Sequence, residues 1–363
     1  MNLKTLRTIK AIVCNKNRST LPILDYIHLE SDFFYLSDLK ITVMARHYFP
    51  IPVYPILIDY DIFLQRMSTI KAPFSISSDD KGKAYFKMPD NRASSVPCQN
   101  GTDSFIKTLP ADGKETPLFN LTGGEIKLLN IALQFTSDDE LRPVMNTICM
   151  SQDYIVASDA HKLYFRKIHR NKGEKDVMID KRVAKLMLIS GDDFDIKQLS
   201  GSFMCASSPD MTIWYWTNQG NNLYNNGAYP NWRSVVPKID KEKPLNNVTL
   251  PVNEMLDAIQ AIEFSVNPAS RMVRFELKGD HLMLYGHNFD DDIQSSEKIN
   301  ILNPDKAIIE FGFKLDFLRQ IFKVFKNEGR YQVSMQFSEN NRCFVFADYI
   351  LLMPMMIHES NNY

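Results

Sequence analysis

Cysteine is scarce and unpatterned in this chain: Cys14, Cys98, Cys149, Cys205 and Cys343 are odd in number, widely scattered and never arranged as CxxC. That spacing implies neither a disulfide framework nor a zinc site and leaves the expectation of reduced, mostly buried thiols. Glycine is also thinly spread, 14 residues in 363. No GxSxG elbow, Walker loop, HExxH pair or Rossmann glycine pattern occurs, so no nucleophile, nucleotide site or metal is advertised, and no cofactor is expected. No apolar run reaches the roughly 20 residues that a membrane span needs. The start MNLKTLRTIKAIV alternates basic and apolar residues and lacks a small-residue cleavage site, which argues against secretion. A soluble cytoplasmic protein with no membrane partner is expected. Neither sign of charge dominates: 42 Lys+Arg stand against 43 Asp+Glu. This balance argues against holding nucleic acid by bulk electrostatics.

What is present is a threefold recurrence of pattern. Hydrophobic content of 44% with 23% charged residues is that of a globular protein, and the length suits two or three domains. Amphipathic stretches fall in pairs at Leu3 to Cys14 and Asp59 to Ile70, Gly123 to Phe135 and Asp180 to Ile189, and Val252 to Phe264 and Lys314 to Phe325. Between the members of each pair lie runs with period-two alternation, such as FFYLSDLKITVMA, TICMSQDYIVASD and VRFELKGDHLMLYG, which read as antiparallel strands and hairpins. Polar, Pro-containing connections at Ala111 to Pro117 and Lys238 to Asn246 separate the copies. The expectation is α+β, with three tandem similar domains at 1–115, 116–243 and 244–363, each carrying two helices on antiparallel sheets.

Several helices are basic along one side. Lys4, Arg7 and Lys10 oppose Leu6, Ile9 and Val13; Lys181, Arg182 and Lys185 oppose Val183, Leu186 and Met187; Arg319, Lys323 and Lys326 oppose Leu318, Ile321 and Phe325. Glu254, Asp257 and Asp61 make the other helices less basic. Taken singly, each stripe is also what an ordinary solvated face looks like.

Four segments carry a resemblance: STLPILDYIHLESDFFYLSDLKITVMAR (Ser19 to Arg46), LRPVMN to SDAHKL (Leu141 to Leu163), YPNWRSVVP (Tyr229 to Pro237) and LLMPMMI (Leu351 to Ile357). In order and spacing they are similar to segments of the bacterial sliding clamp, the beta subunit of DNA polymerase III, over nearly the whole chain. The resemblance implies a DNA clamp fold in which two chains close a six-domain ring around double-stranded DNA. It implies no catalysis, but a processivity factor that tethers the DNA polymerase catalytic subunit and is loaded by a separate ATP-driven clamp loader. Unpaired strand edges at both ends would join the homodimer head to tail, through an edge strand of the first domain, SFIKTLP around Phe105, and one of the third, the segment Phe264 to Arg271.

The same resemblance implies two sets of functional residues. Arg18 stands where the family has a DNA-contacting arginine, and Arg182 matches a family lysine; with the basic stripes they form the candidate DNA contacts. A partner-peptide pocket would have Ser158, Ala160, His161, Lys162 and Leu163 on one wall and Pro230, Ser234 and Val235 on another. Leu351, Met353, Pro354, Met355 and Met356 would form its floor, with Arg142 and Met145 at the rim. Methionines suit a groove that re-packs around different apolar anchors. Ala160 replaces a usual glycine, Ser234 and Met356 stand where arginines are common, and a tail HESNNY follows the family's usual end. These departures imply a divergent member with its own peptide preference, of host or of phage or mobile-element origin. Two other readings stay open: a peptide-binding scaffold ring that never encircles DNA, and a hydrolase using Asp159 and His161.

Overall fold

The structure is a computed structural model that describes residues 3–14, 21–49, 55–70, 73–90, 92–101, 115–151, 153–168, 176–200, 203–217, 228–237, 245–338 and 343–357. Arg18, Phe105 and the tail from His358 lie outside these residues, as does most of both connections that separate the copies. Among the described residues six α-helices form, at Leu3–Val13 (α1), Tyr60–Thr69 (α2), Gly123–Ala132 (α3), Lys181–Ser190 (α4), Val252–Ile262 (α5) and Leu315–Asn327 (α6). Each apolar stripe is the buried one: Leu6, Ile9 and Val13 on α1, Val183, Leu186 and Met187 on α4, and Leu318, Ile321 and Phe325 on α6. Local chemistry sets several ends. The Asp59 carboxylate accepts from the N–H groups of Asp61 and Ile62 to start α2, and Asp180 accepts from Arg182 N–H to start α4. The stretches expected to run to Phe135 and Phe264 finish instead as short 3-10 turns, Leu133–Phe135 and Glu263–Ser265. Tightening of this kind is a common way of satisfying the last carbonyls of a helix.

The chain falls into two units, one of residues 1–130 and 178–228, the other of residues 131–177 and 229–363. In the first, a nine-stranded antiparallel sheet runs in the order Gln99–Asn100, Ile56–Asp59, Tyr26–Leu29, Phe33–Ser37, Ile41–Arg46, Met211–Trp216, Phe203–Ser207, Phe194–Ser200 and Thr116–Leu121. Its middle joint pairs Tyr215 with Ile41 and Met211 with Ala45, so strands from two of the sequence copies share one sheet. A three-stranded sheet of Ser75–Ser78, Lys83–Lys87 and Ala93–Pro97 completes the unit.

In the second unit a sheet runs through Thr147–Ser151, Tyr154–Ser158, Lys162–Lys167, Ile350–Leu352, Phe344–Phe346, Gln332–Phe337 and Asn246–Pro251. Its joint pairs Leu163 with Leu351 and Tyr164 with Ile350. Beside it a four-stranded sheet is ordered Ile293–Asn300, His281–Asn288, Met272–Lys278 and Ile309–Lys314. The hairpin expected in VRFELKGDHLMLYG is closed by Gly279 and Asp280 between the paired Lys278 and His281. Gly279 has φ +60, a left-handed value that glycine adopts without steric cost.

One expectation is corrected. Phe264 to Arg271 is not an edge strand: after the 3-10 turn, the Asn267 side-chain oxygen accepts from the N–H groups of Ala269 and Ser270 and folds the segment into a turn. The four-stranded sheet has edge strands at Ile293–Asn300 and at Ile309–Lys314, the latter bridged at Gly312 to Met355.

Candidate functional site: an apolar groove and the basic helix faces

All the candidate groove residues belong to the second unit. The first wall is the tight turn between strands Tyr154–Ser158 and Lys162–Lys167. Ser158 Oγ accepts from Ala160 N–H and donates to the Lys162 carbonyl, while Asp159 Oδ1 accepts from the N–H groups of His161 and Lys162. Ala160 is held at φ +76. A Cβ in this region costs about 1–2 kcal/mol, which gives a physical reason for the glycine usual there. Ala160→Gly is therefore expected to stabilise the protein by about 0.5–1 kcal/mol, the relief of strain outweighing glycine's greater entropy when unfolded. The check is a higher urea midpoint at unchanged m; a lower midpoint would mean that the Ala160 methyl makes packing contacts worth more than the strain.

The second wall, Pro230 to Val235, is pinned to the first by aromatic packing. Buried Trp232 lies with its ring centroid 5.2 Å from Tyr154 and 5.6 Å from Phe165, and Arg233 covers Trp232 and donates to Ser151 Oγ at 3.2 Å. Ser234 Oγ turns back onto the Asn231 carbonyl at 2.7 Å, and the Cys343 thiol reaches the Val235 carbonyl.

The floor is fastened on both sides. Met353 N–H donates to the His161 carbonyl at 2.9 Å, and Met355 N–H donates to the Gly312 carbonyl at 2.8 Å. Gly312 is small for a reason: a Cβ there would lie 3.0 Å from Met272 Sδ and 3.1 Å from the Met355 carbonyl. Leu163 and Leu351 form the buried base at 3% and 2% exposure, whereas Met353, Val235 and Met356 present apolar surface at 38%, 50% and 85%. Pro354 and Met355 are half-buried between them. The rim turn is a 3-10 helix, Pro143–Asn146, with Arg142 beside Asp139 and the Met145 carbonyl accepting from Ser137 N–H.

Lys162, expected on the first wall, is turned into the fold. It is buried at 4% exposure, its Nζ donating to the Gln134 carbonyl at 2.6 Å and lying 3.1 Å from Asp159 Oδ2, over the rings of Phe135 and Phe317. Phe317 also stacks against the exposed His161 ring, and Gln320 donates to the same Gln134 carbonyl. Phe317, Lys314, whose amine lies over the Phe317 ring, and Gln320 are thus site neighbours that the sequence reading passed over. The one signal was an aromatic residue on α6 beside, not within, the Leu318–Ile321–Phe325 stripe.

This arrangement also contradicts the hydrolase reading. One Asp159 oxygen is taken by the turn's N–H groups and the other by Lys162, so no Asp159–His161 dyad forms.

The basic faces divide into two kinds. Lys4, Arg7, Lys185, Lys323 and Lys326 are exposed and make no ion pair to a described residue. The half-buried Lys181 also lies on the α4 face. Three others are neutralised within the chain. Lys10 Nζ is 2.9 Å from Asp61, Arg182 NH1 is 2.6 Å from Asp38, and Arg319 NH2 is 2.6 Å from Glu263. The Glu263 carboxyl is held below the usual carboxylate range by Arg319 and Arg271, and that of Asp316 by Arg271.

Comparison with solved structures gives this architecture a counterpart. A DNA polymerase III beta sliding clamp from Pseudomonas aeruginosa, bound to griselimycin, superposes with TM-score 0.79 at 16% identity, covering 98% of this chain and 97% of that one. The beta sliding clamp of Caulobacter crescentus gives 0.79 at 18% identity over 98% and 96%. The DNA polymerase III beta chain of Streptococcus pneumoniae TIGR4 gives 0.77 at 16% identity over 98% and 97%. The chain has the bacterial sliding-clamp fold. No protein-family model and no curated protein matches by sequence, so the likeness is one of fold. Among the described residues no helix is long and apolar enough to cross a membrane.

Proposed function

We propose that this protein is a DNA sliding clamp, a non-catalytic processivity factor. The observation that carries the reading is the clamp fold itself, shared over 98% of the chain with proteins named as polymerase clamps. In this reading each chain supplies three domains, 1–115, 116–243 and 244–363, and two chains close head to tail into a six-domain ring around duplex DNA. The exposed eight-residue edge Ile293–Asn300 is a natural half of such a joint, since an open strand edge seeks a partner and a head-to-tail contact must close. The groove of Met353, Val235 and Met356 holds an extended peptide of the polymerase catalytic subunit. A separate ATP-driven loader opens the ring, and the work takes place in the cytoplasm. A topological link needs little affinity, which accommodates a formal net charge of −1.

Once loaded, the protein is expected to stay on nicked circular DNA and to run off the same DNA after linearisation, measured by gel filtration of labelled protein with the DNA. Equal retention on both forms would remove the clamp mechanism. A second reading, a peptide-binding scaffold that never encircles DNA, draws support from the three neutralised cations, and retention on neither form would favour it.

A further inference from the structure

The three internal ion pairs share a design that the basic stripes alone do not suggest. Each joins a cation of a candidate DNA-facing helix to a carboxylate from another element: Lys10 of α1 to Asp61 of α2, Arg182 of α4 to Asp38 in the turn after strand Phe33–Ser37, and Arg319 of α6 to Glu263 beyond α5. Arg271 shares Glu263 with Arg319, donating to Glu263 at 2.8 Å and to the two Asp316 oxygens at 3.1 and 2.8 Å. The three carboxylates keep contact with solvent to different degrees: the Asp61 side chain is 66% exposed, Glu263 39% and Asp38 25%.

We infer that these carboxylates are internal stand-ins for DNA phosphate, so that Lys10, Arg182 and Arg319 reach the backbone of a duplex only by giving up a protein partner. This rests on the reading of the helix faces as DNA-facing. The energetic consequence is an exchange in place of a gain. A cation that swaps one oxyanion for another gains little, and an internally neutralised cation brings little net counterion release. Resting affinity for DNA is then carried by the exposed cations such as Lys4, Arg7, Lys185, Lys323 and Lys326. The paired ones form a reserve that lets phosphates pass without being gripped, which suits a protein that must move along its template.

The Lys10 pair is the one to test, because Asp61 is well exposed and its carboxylate holds no other described hydrogen bond than that from Lys10. The full-length protein is titrated with a short linear duplex at several salt concentrations as wild type, Asp61→Asn, Lys10→Gln and the double variant. Asp61→Asn is expected to bind several-fold more tightly at low salt, with the slope of log affinity against log salt steeper by about 0.9, one phosphate's worth. Lys10→Gln, which leaves the Asp61 carboxylate unpaired, is expected to bind no more tightly than the wild type, and the double variant is expected to lack the gain seen in Asp61→Asn. The inference is overturned if Asp61→Asn matches the wild type in affinity and slope, including the case in which no variant binds the duplex. It is equally overturned if Asp61→Asn tightens binding as much without Lys10, since that would be a general effect of removing negative charge. Retention on circular DNA is a separate measurement: retention with an inert Asp61→Asn sinks this inference alone, and Lys10-dependent tightening without retention sinks the clamp reading alone.

Discussion

Met353→Ala is expected to weaken binding of a polymerase-derived peptide by more than tenfold, read by titrating a fluorescent peptide against the protein. Met353 presents its side chain at 38% exposure while its N–H is fixed to the His161 carbonyl at 2.9 Å. Truncation therefore removes apolar contact without releasing the floor segment. Loss of a well-packed anchor contact typically costs ~2 kcal/mol or more, and ~1.4 kcal/mol is already tenfold. Leu163→Ala should weaken binding too, but for a mixed reason. At 3% exposure Leu163 is part of the packed interior, and a cavity there costs about 2–5 kcal/mol of folding stability. Urea unfolding separates the cases: Met353→Ala should keep the wild-type midpoint and Leu163→Ala should not. Ser234→Ala should do little, because its hydroxyl is already spent on the Asn231 carbonyl. Wild-type peptide affinity in Met353→Ala would show that the polymerase attaches elsewhere.

The contrast between Met353 and Leu163 shows what could and could not be read from the chain. Helices were legible because amphipathic spacing is local: the stretch expected at Leu3 to Cys14 forms at Leu3–Val13, and that expected at Lys314 to Phe325 forms at Leu315–Asn327. Strand runs were legible for the same reason, but their partners were not. The pairings of Tyr215 with Ile41 and Leu163 with Leu351 join strands well over a hundred residues apart, and alternation encodes a face, not a neighbour. Charge pairing was not legible where the partner was remote: Asp38 lies 144 residues from Arg182, and Asp61 lies 51 residues from Lys10. Phe264 to Arg271 was expected at a strand edge, yet the Asn267 side chain folds it into a turn. The groove segments themselves came from resemblance. Structure added which of their side chains face out and which, like Lys162, face in.

Lys162→Met is expected to destabilise the protein by about 3 kcal/mol, the low end of the cost of orphaning one member of a buried ion pair. The low end applies because the partners keep other bonds: Asp159 retains the N–H groups of His161 and Lys162, and the Gln134 carbonyl retains Gln320. Replacing Asp159 by asparagine in the same chain should restore part of the loss, since a neutral side chain needs no counter-charge. The pH dependence carries a definite sign. Burial pushes the Lys162 amine below the ordinary lysine value, with Asp159 opposing that shift. From the lowered folded value up to the unfolded value of ~10.4, the unfolded chain therefore holds more protons at this position than the folded one. Stability from this group rises with pH across that window. A neutral amine can still donate to the Gln134 carbonyl, so deprotonation in the fold removes a buried charge without removing the bond. The gap between wild type and Lys162→Met, measured by urea unfolding at about pH 7 and about pH 10, should accordingly widen at the higher pH. A gap that narrows would mean that the ion pair with Asp159, not burial, governs Lys162, and that the first wall of the groove is held by charge attraction.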